Sequence, residues 1–364
     1  MEKKRLDYLD LAKGIGIILV VIAHSTLTSD AVQAYITAFH MPLFFIVSGM
    51  LICHNREENK EFRRTVRRKL RTIMVPYLAF TVAYLLIDII DMYLGLEVLT
   101  WRDIVDSVIE FLTLYGMSVL WFLPALFFGE LLFIGWKKQC DRWKYGGKVM
   151  IASGVLSAIL MPAGSFLLRT FYPLYENTAT LWIGYYMIVI LRSLGAFTFL
   201  TIGYYGYRFY FEESDRKDEG GQPGTVGCKE VVCGILCLLL TGIISRLNGI
   251  VDMHYLVFGN PVLYYLGTVT GTFGVVLLCR HWFRFRALRY LGSNSLIIMA
   301  THLDFQMMYY GHCYAYWINQ FITRAKIYML CLNVALIVTL LELFLIFIIN
   351  RWLPFMVGRK APKG

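Results

Sequence analysis

The stretch KGIGIILVVIAHS, residues 13–25, decides the fold. It is apolar enough for a hydrocarbon interior, yet an ionisable side chain stands at each end. Lys13 and His24 are eleven positions apart. At about 3.6 residues per turn that is close to three turns, so a helix puts both side chains on one face. A rise of about 1.5 Å per residue separates them by roughly 16 Å, about half the hydrocarbon core of a bilayer. Ionisable groups are costly at that depth, which marks this face as a candidate functional face.

The rest of the chain has the same character. Of its 364 residues, 58% are hydrophobic and 16% charged, where a soluble domain is nearer a quarter charged. The composition predicts an all-α integral membrane protein, a single polytopic domain over residues 1–364 with no large soluble part. The net charge of +10 does not point to nucleic acid, because the bases sit in alternate loops. Eight cysteines are scattered without metal-ligand spacing, so neither a metal site nor a disulfide framework is expected.

About ten spans are expected, near 9–28, 34–53, 72–93, 116–136, 149–168, 192–211, 230–247, 262–280, 292–311 and 328–350. The long run 178–207 reads as an interfacial first part followed by a crossing helix. Residues 98–114 have apolar positions at helical spacing with carboxylates opposite, as in a helix lying on the outer surface. Residues 248–261 read as an outer loop packed back on the bundle.

Basic residues cluster at the N-terminus, after the second, fourth and eighth spans, and after the tenth. Under the positive-inside rule, both termini are cytoplasmic. The hydrophilic stretch near 212–229 becomes a flexible cytoplasmic linker. This topology places Lys13 near the cytoplasmic surface and His24 deeper, toward the outer side.

Two further stretches carry candidate chemistry. EFRRTVRRKLRTIMVPY, residues 61–77, is a basic helix start running into a span. Arg68 and Arg71 lie one turn apart, with Arg64 and Arg67 close by. Guanidinium forks match phosphate oxygens in pairs, although a topology signal or an anionic-lipid patch also uses such residues. AFHMPLFFIVSGML, residues 38–51, puts His40 at the outer end of the second span. Ser48 and Gly49 read there as small residues that let two helices approach closely.

A histidine base works best with an oriented ring. Glu130, Asp304 and Glu342 are candidate orienting carboxylates, and each equally suits a hydrogen bond within the bundle. His302 and Asp304 are expected near the middle of the ninth span, and their spacing of two points them to different faces. His302 suits an acceptor site or a bundle contact.

Together these stretches resemble acyltransferase family 3, a group of bacterial membrane acyltransferases that O-acylate surface sugars. The resemblance rests on K-x10-H in the first span, F-F-x-x-S-G in the second and R-x-x-R entering the third. WFLPALFFGELLF (121–133) resembles fucose 4-O-acetylase-like members, and LGSNSLIIMATH (291–302) resembles a pattern near the family's C-terminus. The family often has arginine where this chain has Lys13, which keeps the charge but loses the planar fork.

The resemblance implies transfer from cytoplasmic acyl-CoA, most simply acetyl-CoA, to a hydroxyl of a cell-surface glycan or lipid-linked sugar. The bound partners are then acyl-CoA, the saccharide and membrane lipids, in a bacterial plasma membrane, with no nucleic acid and no bound cofactor. His24 becomes the base or an acyl relay. Lys13, Arg64, Arg67, Arg68 and Arg71 face the donor's phosphates. His40, Glu130, His302 and Asp304 are left as acceptor or orienting residues. A small-solute transporter on the same fold, without acyl transfer, is the alternative.

Overall fold

A long apolar segment in lipid has to satisfy its own backbone hydrogen bonds, and the helix does so within one segment. The computed structural model is helical accordingly, and describes residues 5–96, 98–171, 178–219, 228–282, 285–320 and 327–359. The helices are α1 Asp7–Ala23, α2 Asp30–Thr37, α3 His40–Asn55, α4 Phe62–Lys69, α5 Val75–Leu94, α6 Trp101–Leu112, α7 Phe122–Cys140 and α8 Gly146–Phe171. They continue with α9 Thr178–Gly206, α10 Glu212–Glu219, α11 Cys228–Asn248, α12 Pro261–Trp282, α13 Arg286–Ser293, α14 Ser295–Thr301, α15 Met307–Asn319 and α16 Ile327–Trp352.

Among the described residues, eight helical segments are long and apolar enough to cross a membrane. The chain is a multi-pass helical membrane protein. The two expected spans missing from that set differ for separate reasons. The first is shorter than expected, because α1 has 17 residues and ends one residue before His24. The ninth is interrupted: α14 stops at Thr301, and turns at 302–306 precede α15. His302 and Asp304 therefore sit in a helix break, not in the middle of a span. Residues 178–206 form one continuous helix. No proline interrupts that stretch. Part of the expected linker, 220–227, falls outside the described residues.

The chain divides into two compact units. The first comprises Met1–Glu58, Phe199–Met299 and Met308–Glu342. Within it α1 is enclosed, with Leu9, Leu11, Ala12, Ile17, Val20 and Val21 all buried. Glycines set how closely its neighbours approach. A Cβ on Gly14 would stand 2.1 Å from the Leu288 carbonyl oxygen, and one on Gly292 1.7 Å from that of Asp10. So α1 and α13 cross backbone to backbone through a glycine on each side. Gly49 of α3 meets Leu200 in the same manner, with 2.2 Å to its carbonyl oxygen. The pair Ser48–Gly49 thus marks a close helix crossing, as its small size implies.

In the same unit the loop after α11 folds back as expected. Asp252 and Val257 exchange two backbone hydrogen bonds of 2.7 Å, and Val251, Met253, Leu256 and Phe258 are buried. The start of α10 is pinned by Asp215, which accepts from Tyr8 Oη at 2.8 Å and from Arg280 at 2.7 Å.

The second unit comprises Asn59–Thr198, Ala300–Met307 and Leu343–Gly364. Here α4 runs into α5 through a wider π-type turn at Leu70–Met74, which contains Arg71. Gly129 of α7 packs on Ala196, where an added Cβ would meet the alanine methyl at 2.5 Å. Arg192, 1% exposed inside α9, donates to the Tyr115 carbonyl at 2.7 Å and lies over the rings of Tyr115 and Trp121. A buried guanidinium needs such partners, since an unpaired buried charge is costly. The helix α6 opens with a capping box, in which Asp103 accepts from both the backbone N–H and the hydroxyl of Thr100.

Candidate functional site

In the first unit, three histidines obey one rule. His24 Nδ1 is 2.9 Å from the Val20 carbonyl, His40 Nδ1 is 3.0 Å from that of Ile36, and His312 Nδ1 is 2.8 Å from that of Met308. Each acceptor is four residues back, so the preceding turn of backbone holds each imidazole. A carbonyl can only accept, so in the neutral ring the proton sits on Nδ1 and the lone pair on Nε2. That is the tautomer a general base requires.

His24 caps the C-terminal end of α1, and part of its side chain is left uncovered by protein, although protein atoms crowd it closely. The carboxylate of Asp252, in the folded-back loop, acts electrostatically on its ring, and His24 acts likewise on His40. His40 itself is buried. Asp252 was not among the carboxylates singled out in the sequence, because its nearness to His24 depends on the fold of that loop. Of those that were, Glu342 lies in this unit, fully buried in α16.

Lys13 does share the His24 face of α1. Ile17 and Val20, between them, are 1% and 2% exposed, so the intervening face is packed. Lys13 Nζ is 2.7 Å from Asp10, which also pairs with Arg5. With Arg289 paired to Asp7, three cations face two carboxylates and leave this end of the helix with a net positive charge.

The turn after α1 adds hydroxyls. Thr26 Oγ is 3.1 Å and Ser25 Oγ 3.4 Å from Nε2 of His312. Thr28 donates its hydroxyl to the Ile22 carbonyl at 2.7 Å.

In the second unit, Arg64, Arg67, Arg68 and Arg71 are all exposed, and their spacing of three and four places them along one side of α4 and the turn that follows. The opposite side is pinned. Thr65 is buried, and Lys69 Nζ is 2.8 Å from Oε2 of Glu130 with both side chains largely buried. Glu130 is thus engaged by Lys69, and the ion pair fastens the basic helix to α7. What remains outward is a row of guanidiniums, suited to phosphate oxygens. His302 is fully buried, and Asp304 is hydrogen-bonded to Ser118. Tyr84 Oη donates at 2.5 Å to the Ala300 carbonyl, which the end of α14 leaves without a helical donor. Glu130, His302 and Asp304 are held within this unit by packing and hydrogen bonds.

Two arrangements follow: imidazoles held in one tautomer by backbone carbonyls, that of His312 in contact with the hydroxyls of Ser25 and Thr26, and a row of outward guanidiniums. The first fits acid–base work on a hydroxyl, the second a polyanionic ligand. No curated protein and no solved structure matches the chain. The family model described as an acyltransferase domain matches residues 6–357, nearly the whole chain, and the protein belongs to that membrane acyltransferase family, acyltransferase 3.

Proposed function

We propose that the protein moves an acyl group, most simply acetyl, from cytoplasmic acyl-CoA to a hydroxyl of a cell-surface glycan or its lipid-linked precursor, in a bacterial plasma membrane. The observation that carries this reading is the state of His24. Its Nδ1–H is held by the Val20 carbonyl, and the ring is accessible. Transfer to an alcohol needs a group that removes the hydroxyl proton as the carbon–oxygen bond forms, and Nε2 of such a ring supplies it.

The donor accounts for the arginines. CoA carries several phosphate charges, and Arg64, Arg67, Arg68 and Arg71 offer paired donors to them. The net positive end of α1, with Lys13 and Arg5 around Asp10, adds attraction for an anion. The negative charge on the departing thiolate is relieved by a proton from a protonated imidazole.

Glycan analysis of a deletion strain complemented with wild type or with His24→Ala tests this reading. Wild type restores O-acyl groups and His24→Ala does not, while both proteins reach the membrane in equal amounts. Full O-acylation by His24→Ala overturns it. Uptake of a labelled small solute independent of acyl-CoA, without glycan modification, supports the transporter instead.

A further inference from the structure

Several threonines in these helices spend their hydroxyls on the backbone. Thr72, Thr113, Thr241, Thr270 and Thr339 each donate to the carbonyl four residues earlier. Thr26 differs: its exposed hydroxyl lies 3.1 Å from Nε2 of His312. The ring of His312 is set for that contact, because its Nδ1 faces the Met308 carbonyl at 2.8 Å. Nε2 then holds the lone pair, and the hydroxyl donates to it. An accessible hydroxyl, a base within reach and a third group orienting the base are the parts of an activated nucleophile. Neighbouring hydroxyls do not meet these conditions together. Ser25 is buried and accepts from the Leu27 N–H, and Thr28 is committed to Ile22.

We propose that Thr26 and His312 form a nucleophile–base couple that carries the acyl group as an ester on Thr26 before the acceptor removes it. This rests on the acyl-transfer reading above. In the first step Oγ of Thr26 attacks the thioester carbon, its proton passes to Nε2 of His312, the carbon–sulfur bond breaks, and the thiolate takes that proton to leave as the thiol. In the second, the acceptor hydroxyl attacks the Thr26 ester and loses its proton to His24, two residues away along the chain. The carbon–oxygen bond to Thr26 breaks, and the alkoxide recovers a proton from an imidazolium. Each step exchanges one acyl bond for another and needs no further reactant.

The test uses full-length protein in nanodiscs with labelled acetyl-CoA and no acceptor, quenched in acid and mapped by mass spectrometry. Wild type should gain one acetyl group on the peptide containing Thr26. Thr26→Ser should retain it, Thr26→Ala should lose it, and His312→Ala should form it about 100-fold more slowly. The same variants are scored for glycan O-acetylation in cells. If Thr26→Ala acetylates glycan at the wild-type level while His24→Ala does not, the covalent step is overturned and acyl transfer stands. An acetyl group found on His24 and not on Thr26 also overturns it. If wild type neither turns over acetyl-CoA nor modifies glycan, both readings fall.

Discussion

His24 Nδ1 lies 2.9 Å from the carbonyl oxygen of Val20, one turn back on the same helix. The carbonyl of its own backbone therefore orients the base at Nδ1, the place a carboxylate takes in a Ser–His–Asp triad. Orientation then survives changes elsewhere in the unit, while loss of the ring is not compensated. His24→Gln keeps polarity and approximate length but removes the base. Acyl transfer should fall by about 10²–10⁴-fold, with membrane insertion and thermal stability near wild type. Radiolabel transfer from acyl-CoA checks the first, and a detergent melt checks the second.

The guanidinium row leads to a donor-binding prediction. If Arg68 and Arg71 hold CoA phosphates, each alanine substitution removes charge-assisted hydrogen bonds of about 1.5–3 kcal/mol, or tenfold or more in affinity. The change should appear as a raised KM for acyl-CoA with kcat changed less. Lysine at either position should recover only part of the loss, since it keeps the charge but not the fork. Steady-state kinetics with varied acyl-CoA decides it, and an unchanged KM in the double alanine variant would place the donor elsewhere.

Much of this was legible in the sequence. The apolar runs gave the helical membrane bundle, the arginine spacing gave the outward row, and Ser48–Gly49 gave a close crossing. Other features depended on long-range placement. Lys69 looked like one more base in a cationic run, yet it alone is turned inward to Glu130, 61 positions later. The break at 302–306 hides in an apolar run, because the side chains suit a span while Tyr84, from another helix, takes the freed carbonyl. His312 gave no sequence signal, since its partner Thr26 lies 286 positions away.

The Lys69–Glu130 pair makes a stability prediction. Both side chains are largely buried and 2.8 Å apart. Lys69→Met leaves a buried carboxylate without its cation, which costs about 3–5 kcal/mol. The double variant Lys69→Met with Glu130→Leu removes both charges and should recover most of that loss. Thermal unfolding of the four proteins completes the cycle. Equal melting temperatures for the single and double variants would show that the pair does not fasten α4 to α7.

Glu110, near the end of α6, gives a pH prediction. Burial pushes its carboxyl up to about 7 from an ordinary 4.5, the charge of Arg192 pulls it back, and Asp106 pushes the same way as burial. Tyr77, on α5, also feels its charge. The folded protein thus prefers the neutral carboxyl. Folding carries no penalty from this group below about pH 4.5, when it is protonated in both states. The penalty grows as pH rises to about 7 and is constant above. Hydrogen exchange in residues 101–112 should become faster relative to its intrinsic rate across that window, and Glu110→Gln should flatten the change. A dependence that persists in Glu110→Gln would assign the titration to another group.

The crossing of α1 with α13 is the most demanding contact in the first unit. A methyl on Gly14 would fall 2.1 Å from the Leu288 carbonyl oxygen, and one on Gly292 would fall 1.7 Å from that of Asp10. In both cases the obstacle is backbone, so relief requires the two helices to separate. Overpacking of this kind costs typically about 1–3 kcal/mol. Separation would also disturb Asp10, which gathers Lys13 and Arg5, and so the cationic end of α1. Gly14→Ala should therefore lower thermal stability and also weaken acyl-CoA binding, although residue 14 bears no functional group. Gly249→Ala is the control, because a Cβ there meets nothing within 4 Å and only its φ of +75° is strained. Its effect should be confined to stability, with the acyl-CoA KM unchanged. If Gly14→Ala shifts stability alone, the charge at this end of α1 takes no part in holding the donor.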